Sequence, residues 1–137
     1  MIPNLTSVTD KLWVRIGPPM DTLAKKVAEA CPGLTGQLNQ HRNDSFPLWG
    51  YLAFMKNRDG PEIAVMVDVQ NHGERVLIAS DICWDDGRIV ATGPSASFLT
   101  SSDEATVHIT VEDWVHKFER WTVQSESALI QECKTLG

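Results

Sequence analysis

From Leu48 to Ala91 apolar and polar side chains alternate, and three dipeptides, Asp59-Gly60, His72-Gly73 and Asp86-Gly87, divide the alternation into four runs. Period-two alternation puts successive side chains on opposite faces of a strand, and Gly-containing dipeptides close hairpins. The stretch therefore predicts a four-stranded antiparallel meander. Read as two-residue loops, the turns pair Phe54 with Val65 and Leu52 with Val67, then Val67 with Ile78 and Ile63 with Ile82, then Trp84 with Ile89. One face collects Leu48, Leu52, Phe54, Ile63, Val65, Val67, Val69, Val76, Ile78, Ile82, Trp84, Ile89 and Ala91, with Ser80 its main polar member. A slip of one residue would invert each set, so agreement across three turns supports the assignment.

The flanks change period. Pro18-Pro19 before Asp21 reads as a helix start, and Leu23, Val27 and Ala30 or Cys31 recur at helical spacing until Pro32-Gly33, predicting a helix over about residues 19 to 31. Residues 34 to 47, with Gly36, Asn39, Asn43 and Pro47, read as a loop or a short helical turn. Ser95 to Asp103 is loop-like in composition, and residues 105 to 109 offer an extra strand. Thr110 and Asp113 resemble a capping box, after which Val111, Trp114, Val115, Phe118 and Trp121, continued by Leu129, Cys133 and Leu136, form one helical face. That aromatic stripe suits the apolar side of the sheet. The expected fold is α+β: a four- to five-stranded antiparallel meander with an N-terminal and a C-terminal helix packed on it, as a single domain over residues 1–137.

Composition limits the partners. The 137 residues carry 12 basic and 18 acidic side chains, a formal net charge of −6. Phosphate neutralisation needs clustered Lys and Arg, and no basic run exceeds Lys25-Lys26, so nucleic acid is disfavoured and a basic protein partner is expected. The longest apolar stretch, Ile63 to Val67, is far below the roughly 20 residues of a membrane span. Met1 to Thr6 shows no basic and apolar export pattern, and the sequons at Asn4 and Asn43 read as chance matches. Cys31, Cys83 and Cys133 are odd in number and widely spaced, against both a disulfide framework and a thiolate metal site. A cytoplasmic location follows as the expectation.

No catalytic motif emerges. Glu112, His116 and Glu119 share a helix face, but two or three ligands on one helix leave a metal site incomplete, and a solvated face explains them. Asp68 and Asp81 are the carboxylate pair nearest to acid/base equipment. With Asp68 opposite Leu77, Asp81 lies four residues further on, about 13 Å away at the strand rise, and the two are expected to act separately. Cys31 falls at the negative end of the first helix, where a thiolate nucleophile is disfavoured, and Cys83 and Cys133 read as packing residues. Asp85-Asp86-Gly87 lacks the remaining oxygen ligands of a calcium loop. No catalytic residue, metal or cofactor is assigned.

The second face of the meander is more informative. It carries Trp49, Tyr51, Met55, Met66, Leu77, Cys83 and Val90, interleaved with Glu62, Asp68, Asp81 and Arg88. Either the first helix or the 94 to 104 segment covers it, or it is a recognition surface in which aromatic and Met side chains rimmed by acids anchor a cationic protein. Trp49, Tyr51, Met66, Asp68, Asp81 and Arg88 are the partner-binding residues under the second reading.

The segments Val67 to Gly73, Ser80 to Gly87 and Val111 to Val115 resemble the small acidic immunity proteins of bacterial polymorphic toxin systems. The resemblance covers about half the chain and lies in its general character as an acidic, Trp-rich α+β domain with a meander and a closing helix. It implies a protein that neutralises a cognate toxin by occluding it, and the chain is expected to be a monomer or homodimer. Two alternatives remain. One is a secretion-type effector chaperone; the other is a small-ligand-binding or hydrolytic domain with a pocket between the sheet and the C-terminal helix, using Ser80 and Lys56.

Overall fold

The computed structural model describes residues 5–136. Met1 to Asn4, which hold the start of the first sequon and most of the N-terminal stretch weighed for export, lie outside them. The chain runs α1 (Leu5–Ala30), β1 (Thr35–His41), β2 (Leu48–Met55), β3 (Glu62–Asn71), β4 (Arg75–Trp84), β5 (Ile89–Thr92), β6 (Ala96–Leu99) and α2 (Glu104–Lys134). This is the expected α+β architecture. The strands form one antiparallel sheet in the order β1-β2-β3-β4-β5, and β6 pairs with β4 beyond β5.

The meander is present, with its faces as the alternation predicts. Leu48, Leu52, Phe54, Ile63, Val65, Val67, Val69, Val76, Ile78, Ile82 and Trp84 are all buried on one side. The pairing, however, is displaced. Phe54 lies opposite Ile63 and Leu52 opposite Val65, because residues 56–61 form a longer loop than Asp59-Gly60 alone. Pro61 has no N–H to offer a ladder, so pairing resumes only at Glu62. In the second hairpin the loop is Gly73-Glu74, with His72 N–H donating to the Arg75 carbonyl at 2.9 Å. Gly73 takes φ +84°, the left-handed first loop position that glycine adopts without strain. Val67 therefore faces Ser80, and Val69 faces Ile78. Both displacements are by two residues, so each side chain keeps its face.

The third turn is displaced by one, and here the expectation fails. Asp85-Asp86-Gly87 forms a three-residue loop, with Gly87 at φ +94° and Trp84 N–H donating to the Arg88 carbonyl at 2.8 Å. Ile89 then lies opposite Cys83 on the second face, 57% exposed, until a bulge restores Ile82 to Ala91. Val90, the extra residue of that bulge, packs against the core instead of joining the second face.

Four further expectations are corrected. Helix α1 begins at Leu5, not near residue 19, and runs through Pro18 and Pro19. Val8, Leu12, Ile16, Met20, Leu23 and Val27 are buried along one stripe, and this burial outweighs the two N–H donors the prolines remove. Residues 34–47 contain β1, an edge strand whose one inward apolar residue, Leu38, leaves no visible alternation. Residues 105–109 belong to α2, whose N-cap is Asp103, its carboxylate accepting from Thr106 N–H at 2.7 Å; Thr110 is interior. The expected loop after Gly93 holds β6 and its buried Phe98.

Both helices lie on the apolar face. Trp13 and Ile16 of α1 approach Gly50, while Trp114 and Phe118 of α2 are fully buried and stacked with ring centroids 4.9 Å apart. Arg15 meets Glu112 and Cys31 meets Ile130, so the helices run side by side in the same direction. One continuous core joins α1, the sheet and α2. Among the described residues no helix is long and apolar enough to cross a membrane.

Candidate functional site

Because α1 sits beside α2, it does not cover the second face of the sheet, and neither does the 94 to 104 segment, whose strand β6 extends the edge. Trp49, Tyr51, Met55, Met66, Leu77 and Cys83 all keep solvent exposure, with Trp49 at 37%. Strand pairing explains the grouping: Trp49 lies opposite Asp68, Tyr51 opposite Met66, and Met66 opposite Asp81. Five of the six sequence-predicted residues, Trp49, Tyr51, Met66, Asp68 and Asp81, thus occupy adjacent positions on one face.

Arg88 does not join them. The three-residue turn reverses its parity, and its guanidinium lies 5.2 Å from the centre of the Trp84 ring, held by Asp86 at 2.9 Å. Its charge is engaged in the turn.

Strand β1 and the loop after it contribute residues that sequence reasoning missed. His41 lies opposite Trp49 and stacks on Tyr51 with centroids 5.8 Å apart, sharing a 3.1 Å hydrogen bond between its Nε2 and the Tyr51 hydroxyl. Phe46 packs 6.0 Å from Trp49, completing a group of four rings. Period-two reading of residues 35–41 with an edge strand in mind is the signal that places His41 here. Beside the rings a shallow depression of about 420 Å³ is lined by His41, Trp49, Tyr51, Glu62, Met66 and Cys83, among others.

The acids are closer than expected. With Asp68 opposite Ala79 and Asp81 opposite Met66, the pair are diagonal neighbours, about 7–8 Å apart on such a ladder rather than 13 Å. Burial pushes both carboxyls up from their ordinary values. For Asp68 the Gln70 amide, donating at 2.7 Å, opposes the rise while Asp81 adds to it; for Asp81 the Cys83 thiol opposes it. One oxygen of Asp81, Oδ1, is buried without a hydrogen-bond partner among the described residues. Neither acid lines the depression.

The thiols and Glu112 are held by their neighbours. Burial, then Asp81, pushes the Cys83 thiol up to about 11, and it rests 3.3 Å from the Met66 sulfur. Burial pushes Cys133 up to about 12. Both shifts disfavour the thiolate. Glu112 receives Arg15 on both oxygens, at 2.6 and 2.7 Å, so its carboxylate is already committed, and no metal-binding cluster occurs among the described residues. Trp114, Phe118 and Leu129 fill the space between the sheet and α2.

Comparison with family models, with curated proteins and with solved structures gave no match.

Proposed function

We propose that this chain is an acidic protein-binding domain, an immunity protein that neutralises a basic toxin by laying its open sheet face over it. The observation that carries the reading is the one-sided sheet. Both helices cover one face, while the other leaves a four-ring aromatic group beside Glu62, Asp68 and Asp81 in reach of solvent. Trp and Tyr are the commonest energetic anchors of interfaces. Carboxylates beside them steer a cationic partner and are desolvated against its Lys and Arg side chains. Asp81 as a residue keeps partial solvent exposure, and a guanidinium or ammonium from the partner would pair with its carboxylate.

The test is capture from cells of the source organism with the tagged wild-type chain and with a Trp49→Ala, Tyr51→Ala, Asp68→Asn variant. The wild type should retain a stoichiometric basic protein, with an association rate that falls as salt rises. The variant should bind at least about a hundredfold more weakly while circular dichroism shows it folded. Equal binding by both would remove the open face from the interface.

A further inference from the structure

The two edges of the sheet are built differently. β5 and β6 share the edge beyond β4, and it is interrupted by the bulge at Ile82/Cys83 and by the Gly93-Pro94-Ser95 break. Bulges and prolines are features that stop an edge from pairing with another chain. The opposite edge, β1, has neither. Its 7 residues pair with β2 in unbroken register, and they include no Asp, Glu, Lys, Arg or Pro. Alternate backbone N–H and C=O groups of such an edge point away from the sheet and form a template for an added strand.

We propose that β1 is a self-association edge, along which two copies of this chain pair antiparallel about a two-fold axis through Leu38. The residues of β1 are self-complementary under that axis. Leu38 meets Leu38 on the helix side, where it already packs against the core. On the open side Gln37 meets Asn39 of the second copy twice over, and each amide both donates and accepts. Gly36 meets Gln40. No like-charge pair arises, although each copy carries −6. A second copy suits this edge better than a basic strand, which would find no carboxylate along β1. Pairing joins two sheets into one and places the two open faces side by side. It is independent of what those faces bind.

Sedimentation velocity of the full chain over a dilution series tests the proposal. The wild type should show a concentration-dependent monomer–dimer equilibrium. Gln37→Lys with Asn39→Lys sets Lys against Lys at both crossings and should raise the dissociation constant about tenfold or more, even though it makes the chain less acidic. Gln37→Lys with Asn39→Asp sets Lys against Asp at the same crossings and should restore dimerisation. Both positions are exposed, so the variants should fold, and circular dichroism checks this. A wild type that stays monomeric throughout, a Lys/Lys variant as dimeric as wild type, or a Lys/Asp variant that remains monomeric would each overturn the assignment.

Discussion

Asp68 and Asp81 stand diagonally across β3 and β4, close enough that the charge of Asp81 helps to raise the Asp68 carboxyl above its ordinary value. Burial is the first cause of the rise in both carboxyls, and the charge of Asp81 adds to it at Asp68.

The sign of their effect on stability follows from linkage. A carboxyl raised on folding binds its proton more tightly in the folded state. Stability is greatest when both states are protonated. It falls as pH rises from the ordinary aspartate value through the raised one, then levels off. Asp81→Asn should therefore raise stability at neutral pH, leave it unchanged in strong acid, and flatten the decline between. Urea titrations at several pH values check this. The same substitution should weaken capture of a basic partner, a trade of stability for binding.

Arg15 and Glu112 behave in the opposite sense. The Arg15 hydrogen bonds hold the Glu112 carboxyl below its ordinary value, so this contribution is present at neutral pH and disappears as pH falls through the lowered value. Both side chains are about a third exposed, at 39% and 33%, so solvent screens the pair. A double-mutant cycle with Arg15→Ala and Glu112→Ala should give a coupling of no more than about 1 kcal/mol at neutral pH and near zero in acid.

Ser80 and Trp114 donate to one acceptor, the Pro94 carbonyl, at 2.8 and 2.9 Å. Ser80→Ala leaves that carbonyl one donor and should cost about 1 kcal/mol. Trp114→Phe also removes volume from a fully buried site and should cost about 2 kcal/mol or more. Together they leave the carbonyl unpaired, so the double variant should lose more than the two single losses combined. Denaturant midpoints of all three variants decide it.

Gly50 lies under α1, and a Cβ there would stand 2.6 Å from Cζ3 of Trp13. Gly50→Ala must push the indole aside and should cost about 1–3 kcal/mol. A thermal transition equal to wild type would show that Trp13 moves freely.

The composition of each sheet face was legible from alternation alone. Trp49, Tyr51, Met66, Asp68 and Asp81 were grouped correctly although two of the three hairpins pair two residues away from the simplest reading, since an even displacement preserves sides. Arg88 was misplaced because its turn shifts by an odd number. His41 was missed because β1, with a single inward apolar residue, shows no pattern to read.

Alternation and helical stripes are properties of the chain over a few residues, and they were enough to specify an α+β fold, the buried side of the meander and the aromatic stripe of α2. Adjacency across strands depends on how many residues each loop consumes. Here the Gly73-Glu74 loop sets the register of β3 against β4, which brought Asp81 from a distant position to one diagonal with Asp68. Which face stays open depended on docking at longer range. The buried stripe of α1 extends back to Val8 and lies alongside α2 on the apolar side, leaving Trp49 and Tyr51 in reach of solvent. No local pattern encodes that choice, because it rests on the joint burial of residues about a hundred positions apart, such as Cys31 beside Ile130.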